Sequence, residues 1–217
     1  MVKQTPTATR IFMTVIALVA WFALVLQLWL MLALRPQTGL SALEVVIKFF
    51  SFFTILSNTI VAVSLTVILI KPQSKLAVFF TEPANKTAVA VYILVVGIVY
   101  NLILRALWAP TGWQKVADEL LHVAVPLLYL LYWLFFIPKG FLQWKKPIYW
   151  LLFPIFYLVY SIVRGAVTNF YPYPFIDVNQ IGYGRTLINA GLMFLGFLIL
   201  GLLFVSIDKL SKPSVEK

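Results

Sequence analysis

The chain of 217 residues holds a single histidine, His122, in the stretch "DELLHVAVPLL" (residues 118–128). Asp118 stands four residues before it, Glu119 three before it, and Pro126 four after it. Imidazole exchanges its proton near neutral pH, so it serves as a general base wherever a hydroxyl must be activated. Candidate hydroxyls lie in "KFFSFFTILSN" (residues 48–58), which contains Ser51 and Thr54. Either alcohol is a weak nucleophile until a neighbouring base takes its proton. Asp118 or Glu119 could orient the ring as the acid of a triad does, while Arg105, Arg164 or backbone N–H groups could steady an oxyanion or hold a carboxylate. Cysteine is absent, which excludes disulfides, thiol nucleophiles and thiolate-bound metals. With one histidine there is no basis for expecting a metal site or a cofactor. The nucleophile elbow GxSxG and the metal-binding HExxH are also missing.

The elements that must position these groups are membrane helices. The chain is 62% hydrophobic and only 11% charged, far from the quarter or so of charged residues in a soluble domain. Six apolar runs, near 11–34, 45–70, 88–108, 119–138, 147–168 and 186–207, are each long enough to cross a hydrocarbon layer of roughly 30 Å as a helix. None alternates as a barrel strand does. The expectation is an all-α, polytopic bundle of six transmembrane helices in a single integral membrane domain over residues 1–217.

Charge placement orients it. Lys3, Arg10, Lys71, Lys75, Lys86, Lys139, Lys145, Lys146, Lys209, Lys212 and Lys217 share one set of connections, while Arg35, Lys115 and Arg185 fall on the other. This bias puts both termini in the cytoplasm, N-in and C-in, of a bacterial plasma membrane. The net charge of +10 is thus spent on membrane-surface anchors, and no continuous basic face marks a nucleic-acid partner. Trp29, Trp108, Trp113, Trp144 and Trp150 sit near the ends of the expected helices, as interfacial anchors do.

Depth then selects among the polar residues. Lys48, Ser51, Thr54 and Asn58 fall at spacings of three, three and four, one face of a continuous helix. Asn101 and Arg105 are one turn apart, as are Asp118 and His122. With Tyr157, Tyr160, Ser161, Arg164, Thr186 and Asn189, nearly all lie in the outer half of the membrane. The pattern implies a polar pocket open to the outer leaflet, roofed by loops carrying Glu44, Asp118, Glu119 and Asp177; the apolar inner half argues against a pore. Thr54 and His122 each lie seventeen residues from the lysines on the inner side, Lys71 and Lys139, hence nearly level. With the fourth helix starting near 119, His122 falls in its first turn, where the dipole disfavours imidazolium.

Three segments together resemble the androgen-induced membrane-protein family and its bacterial six-helix relatives. "KFFSFFTILSN" is similar to the helix-two motif bearing that family's threonine, "DELLHVAVP" to the helix-four motif bearing its histidine, and "YPYPFIDV" to the stretch after helix five. Animal members are intramembrane threonine hydrolases that cleave fatty acid esters of hydroxy fatty acids. The resemblance implies six helices over almost the whole chain and puts His122 in the catalytic histidine's place. Placing "FTILSN" on the motif implies Thr54 as nucleophile; pairing the lysine and phenylalanines without a gap implies Ser51. Residue type and depth favour Thr54.

The expected function is hydrolysis of a lipid or fatty-acyl ester by Thr54 with His122 as base, supported by Ser51, Asn58, Asn101, Arg105, Asp118 and Arg164. The alternative is a non-enzymatic membrane protein, a lipid-binding, transport or partner subunit, that holds an acyl carboxylate in the same pocket. Residue types alone leave the oligomeric state open, since no GxxxG pair is present.

Overall fold

The structure, a computed structural model, describes residues 6–211; Lys3, Lys212 and Lys217 of the basic set lie outside the described residues. The described residues are predominantly helical and include no strand, with eleven α-helices: α1 Thr7–Ala33, α2 Arg35–Thr38, α3 Ala42–Phe49, α4 Phe53–Ile70, α5 Lys75–Thr81, α6 Pro83–Val99, α7 Gly112–Glu119, α8 Val125–Phe136, α9 Lys146–Trp150, α10 Leu152–Thr168 and α11 Val178–Leu210. Short π-helical turns, Tyr100–Leu104 and Leu120–Ala124, prolong α6 and join α7 to α8. Six helical segments are long and apolar enough to cross a membrane, and the chain reads as an integral membrane protein. The residues divide into two compact units between Pro138 and Lys139.

In the first unit α1 lies along α4, α4 along α6, and α6 along α8. The inward stripe of α1 is rich in alanine, with Ala17, Ala20 and Ala23 buried, and Ala62 of α4 is buried as well. Small side chains let helix backbones approach where lipid offers no hydrophobic drive to associate. Polar clamps add register: the Trp21 indole donates to Thr66 at 3.0 Å, Gln114 to Gln27 at 2.7 Å, and the buried Trp133 indole to Thr87 at 2.8 Å. A carboxylate closes the turn into α3. Ser41 and Glu44 form a capping box, and the Ser41 hydroxyl and N–H together hold the Glu44 carboxyl below its ordinary range. That contribution is present above the ordinary carboxylate range and fades as pH falls through the lowered value.

In the second unit α9 and α10 both pack on α11. Gly201 lets Pro147 and Trp150 sit against α11; an added Cβ there would come within 2.9 Å of Pro147. The buried Asp208 accepts the Leu142 N–H at 2.9 Å, tying the connection after Lys139 to the last turns of α11. After α10 the chain turns through Asn169, the one non-glycine residue with positive φ (55°) among those described, and folds back so that Tyr171 covers Gly165. The Asn189 amide holds the Phe175 carbonyl at 2.9 Å.

Several expected helix limits are corrected. The run 45–70 is two helices, broken at Phe50–Phe52. The Ser51 hydroxyl donates back to the Ile47 carbonyl at 2.6 Å, competing with the backbone for that acceptor, and Phe52 is extended. Lys48 and Ser51 therefore do not continue the face of Thr54 and Asn58. The run 147–168 breaks at Leu151, because Pro154 has no N–H for the Trp150 carbonyl. The helix placed at 119–138 begins at Gly112, so His122 is not in a first turn and the dipole argument for it fails. Asp118 and Glu119 belong to that helix and not to a roofing loop. The last helix begins at Val178 and kinks at Gly182 (φ 73°). Trp150 is buried, unlike Trp29, Trp108, Trp113 and Trp144, which are exposed as anchors should be.

Replacing Thr87 with Val keeps the shape but removes the hydroxyl that accepts the buried Trp133 N–H. The expected loss is about 1–3 kcal/mol, read as a lower melting midpoint of the purified protein by circular dichroism.

A hydroxyl–imidazole pair in the first unit

Pro126 is the local cause of the geometry around His122. A proline has no N–H, so neither the Leu121 carbonyl, its partner in a π-turn, nor the His122 carbonyl, its partner in an α-turn, receives a backbone donor from it. Two asparagines of other helices supply the missing hydrogens. Asn58 on α4 donates to the Leu121 carbonyl at 3.2 Å and to its own Thr54 carbonyl at 2.8 Å. Asn101, in the π-turn after α6, donates to the His122 carbonyl at 3.4 Å and to the Gly97 carbonyl at 2.8 Å. The approach of α6 to this segment depends on Gly97, where an added Cβ would lie 3.2 Å from both the His122 oxygen and the Pro126 Cβ.

These contacts aim the imidazole. His122 Nδ1 lies 2.8 Å from the Asp118 carbonyl oxygen and 3.2 Å from its carboxylate. Both are acceptors, so Nδ1 carries a proton, and in the neutral ring the lone pair belongs to Nε2. Nε2 stands 3.4 Å from Thr54 Oγ1. Tyr100 stacks on the ring with centroids 3.9 Å apart and planes 17° off parallel, and its hydroxyl donates to the other Asp118 oxygen. Asp118 is buried, as are Thr54, Ser57 and Asn58. The Ser57 Oγ and Asn58 Oδ1 atoms are buried without a hydrogen-bond partner.

Above this layer Arg105 forms a bidentate pair with Glu119, at 2.7 and 2.8 Å, donates through Nε to Asn101 at 3.0 Å, and lies over the Tyr100 ring at 5.1 Å. Its donors are turned to protein acceptors, so it straps α6 to α7. An open groove of about 440 Å³ runs beside this strap along Lys115, Val116, Glu119, Leu120 and Val123; neither Thr54 nor His122 lines it.

The structure thus brings Thr54, His122, Asp118, Asn58, Asn101 and Arg105 into one cluster. Ser51 is buried nearby in sequence, but its hydroxyl is directed to Ile47. Arg164 belongs to the second unit, where its guanidinium lies 4.9 Å from the Phe170 ring. Tyr100 and Gly97 were not singled out from the sequence. The signal for Gly97 was present: Gly97, Asn101 and Arg105 recur every four residues, one face of one helix. No family model, curated protein or solved structure matches this chain.

Because His122 is the only histidine, its tautomer can be read without assignment. Nitrogen-15 NMR of histidine-labelled protein is expected to show the neutral ring protonated at Nδ1; a neutral ring protonated at Nε2 would contradict the geometry. Replacing Gly97 with Val should broaden or shift both signals by forcing the His122 segment outward.

Proposed function

We propose that the chain is an intramembrane hydrolase of lipid or fatty-acyl esters, with Thr54 as nucleophile and His122 as general base. The observation that carries this reading is the 3.4 Å separation of Thr54 Oγ1 from His122 Nε2, with Nδ1 held by Asp118. A base must present its lone pair to the hydroxyl while its other nitrogen is anchored. Contacts of this kind tighten once substrate is bound.

The steps follow from the groups present. Nε2 takes the threonine proton as Oγ1 bonds to the ester carbonyl carbon. The tetrahedral oxyanion collapses, the ester C–O bond breaks, and the departing alkoxide leaves with the proton from Nε2. Water, deprotonated by the same nitrogen, then attacks the acyl-threonine and frees the acid and Thr54. Thr54 is the second residue of α4, so the developing negative charge lies at the positive end of that helix dipole. Tyr100 and Asp118 keep the imidazole in one plane and one tautomer through both halves.

The reading agrees with the resemblance to the androgen-induced membrane hydrolases, which puts His122 in the histidine's place and, with "FTILSN" set on the motif, Thr54 in the threonine's. The excess of lysine on one set of connections supports cytoplasmic termini in a plasma membrane, with the pair in the outer leaflet and its substrate entering from there.

Thr54→Ala and His122→Ala are each expected to reduce hydrolysis of 4-nitrophenyl octanoate by about a thousandfold or more, far beyond any loss of folded protein read from the melting curve. Thr54→Ser should retain measurable turnover. A fluorophosphonate probe should label the wild type and neither alanine variant. Reversible octanoate binding with no turnover and no labelling would replace the hydrolase by a lipid-binding or partner subunit.

A further inference from the structure

Arg105 and Arg164 differ in how their charge is met. Arg105 has Glu119, Asn101 and the Tyr100 ring. Arg164 has no carboxylate among the described residues, and its Nη1 is buried with no hydrogen-bond partner. One turn earlier on α10, the Ser161 hydroxyl is also buried without a partner, with the residue only 2% exposed. Residues three apart share a helix face. Phe170, folded back after the Asn169 turn, lies 4.9 Å from the guanidinium carbon. The ring face meets the charge but offers no carboxylate or carbonyl oxygen, so guanidinium N–H groups are left for a ligand.

Guanidinium can only donate, and Arg164, half-buried with Nη1 shut off from solvent and no carboxylate to meet it, leaves a charge unmatched. Water meets a stray hydrogen-bonding group, but it does not neutralise a cation. Intramembrane arginines accordingly mark sites of function. Arg164 stands four residues from the end of its span at Thr168, about 6 Å by helix rise, the depth at which headgroup oxygens lie.

We propose that Ser161 and Arg164 bind the oxyanion head, carboxylate or phosphate, of a membrane amphiphile. The guanidinium gives charge-assisted hydrogen bonds to the head, the Ser161 hydroxyl gives one more, and the acyl chain lies along the apolar surface of the span. The site belongs to the second unit alone and does not depend on the Thr54–His122 reading.

The test uses full-length protein in dodecyl maltoside. Affinity and melting shift are measured with oleate, dioleoylphosphatidylglycerol, oleyl alcohol and inorganic phosphate. Oleate or the phospholipid is expected to bind saturably and raise the midpoint, and oleyl alcohol, which has the same chain without the charge, is not. Arg164→Gln should weaken that binding about tenfold or more, Arg164→Lys less, and Ser161→Ala a few-fold. Ligand-free Arg164→Gln should melt no lower than wild type, since it removes an unmatched charge. Unchanged affinity in Arg164→Gln, or equal binding of oleyl alcohol, would overturn the site. So would an Arg164→Gln protein that melts far lower or does not fold, because the guanidinium would then belong to the fold's own bonding. Saturable, Arg164-dependent binding of inorganic phosphate with none of either amphiphile would keep the oxyanion site and overturn its lipid source.

Discussion

A backbone carbonyl inside a membrane must find a donor within the protein. Pro126 withholds one from the segment that carries His122, and the first unit is arranged around that deficit. Asn58 and Asn101 reach in from two other helices to the Leu121 and His122 carbonyls. Gly97 removes the side chain that would keep α6 away. The π-turn Leu120–Ala124 accommodates the offset. Such turns tend to occur at functional sites, and here the reason is concrete, since the offset directs the imidazole at the α4 hydroxyl.

The same contacts therefore serve stability and chemistry. Asp118 satisfies His122 Nδ1 through both its carbonyl and its carboxylate, and that satisfaction is what leaves Nε2 bare toward Thr54. Tyr100 fills the space beside the ring and occupies the second Asp118 oxygen. The cluster meets most of its hydrogen-bonding needs internally, while Ser57 Oγ and Asn58 Oδ1 remain buried and unpartnered beside it.

Six spans were legible because hydrophobic length is a strong signal and lipid permits few alternatives. The juxtaposition of Thr54 and His122 was legible for a related reason: counting residues back from Lys71 and Lys139, which end the two apolar runs, measures position along both helices. Breaks were not legible. Ser51 reads as an ordinary helical residue until its hydroxyl is seen bonded to Ile47, and Pro154 stands inside an apolar stretch whose hydrophobicity continues unbroken on both sides of it. Tyr100 was hidden because stacking has no spacing rule across two helices. The start at Gly112 was missed because Gln114, Lys115, Asp118 and Glu119 look like loop composition, yet they form one more pair of turns with Asp118 turned inward and buried.

The Pro126 deficit also bears on how the protein is made. Translation proceeds from the N-terminus, so α4 and α6 enter the bilayer before α8. Asn58 and Asn101 are therefore already at depth when the hairpin bearing Pro126 leaves the translocation machinery with two bare carbonyls. The late-arriving span can lower its insertion penalty only in the one register where both amides meet it, so assembly is proofread by the same polar contacts that later hold the imidazole.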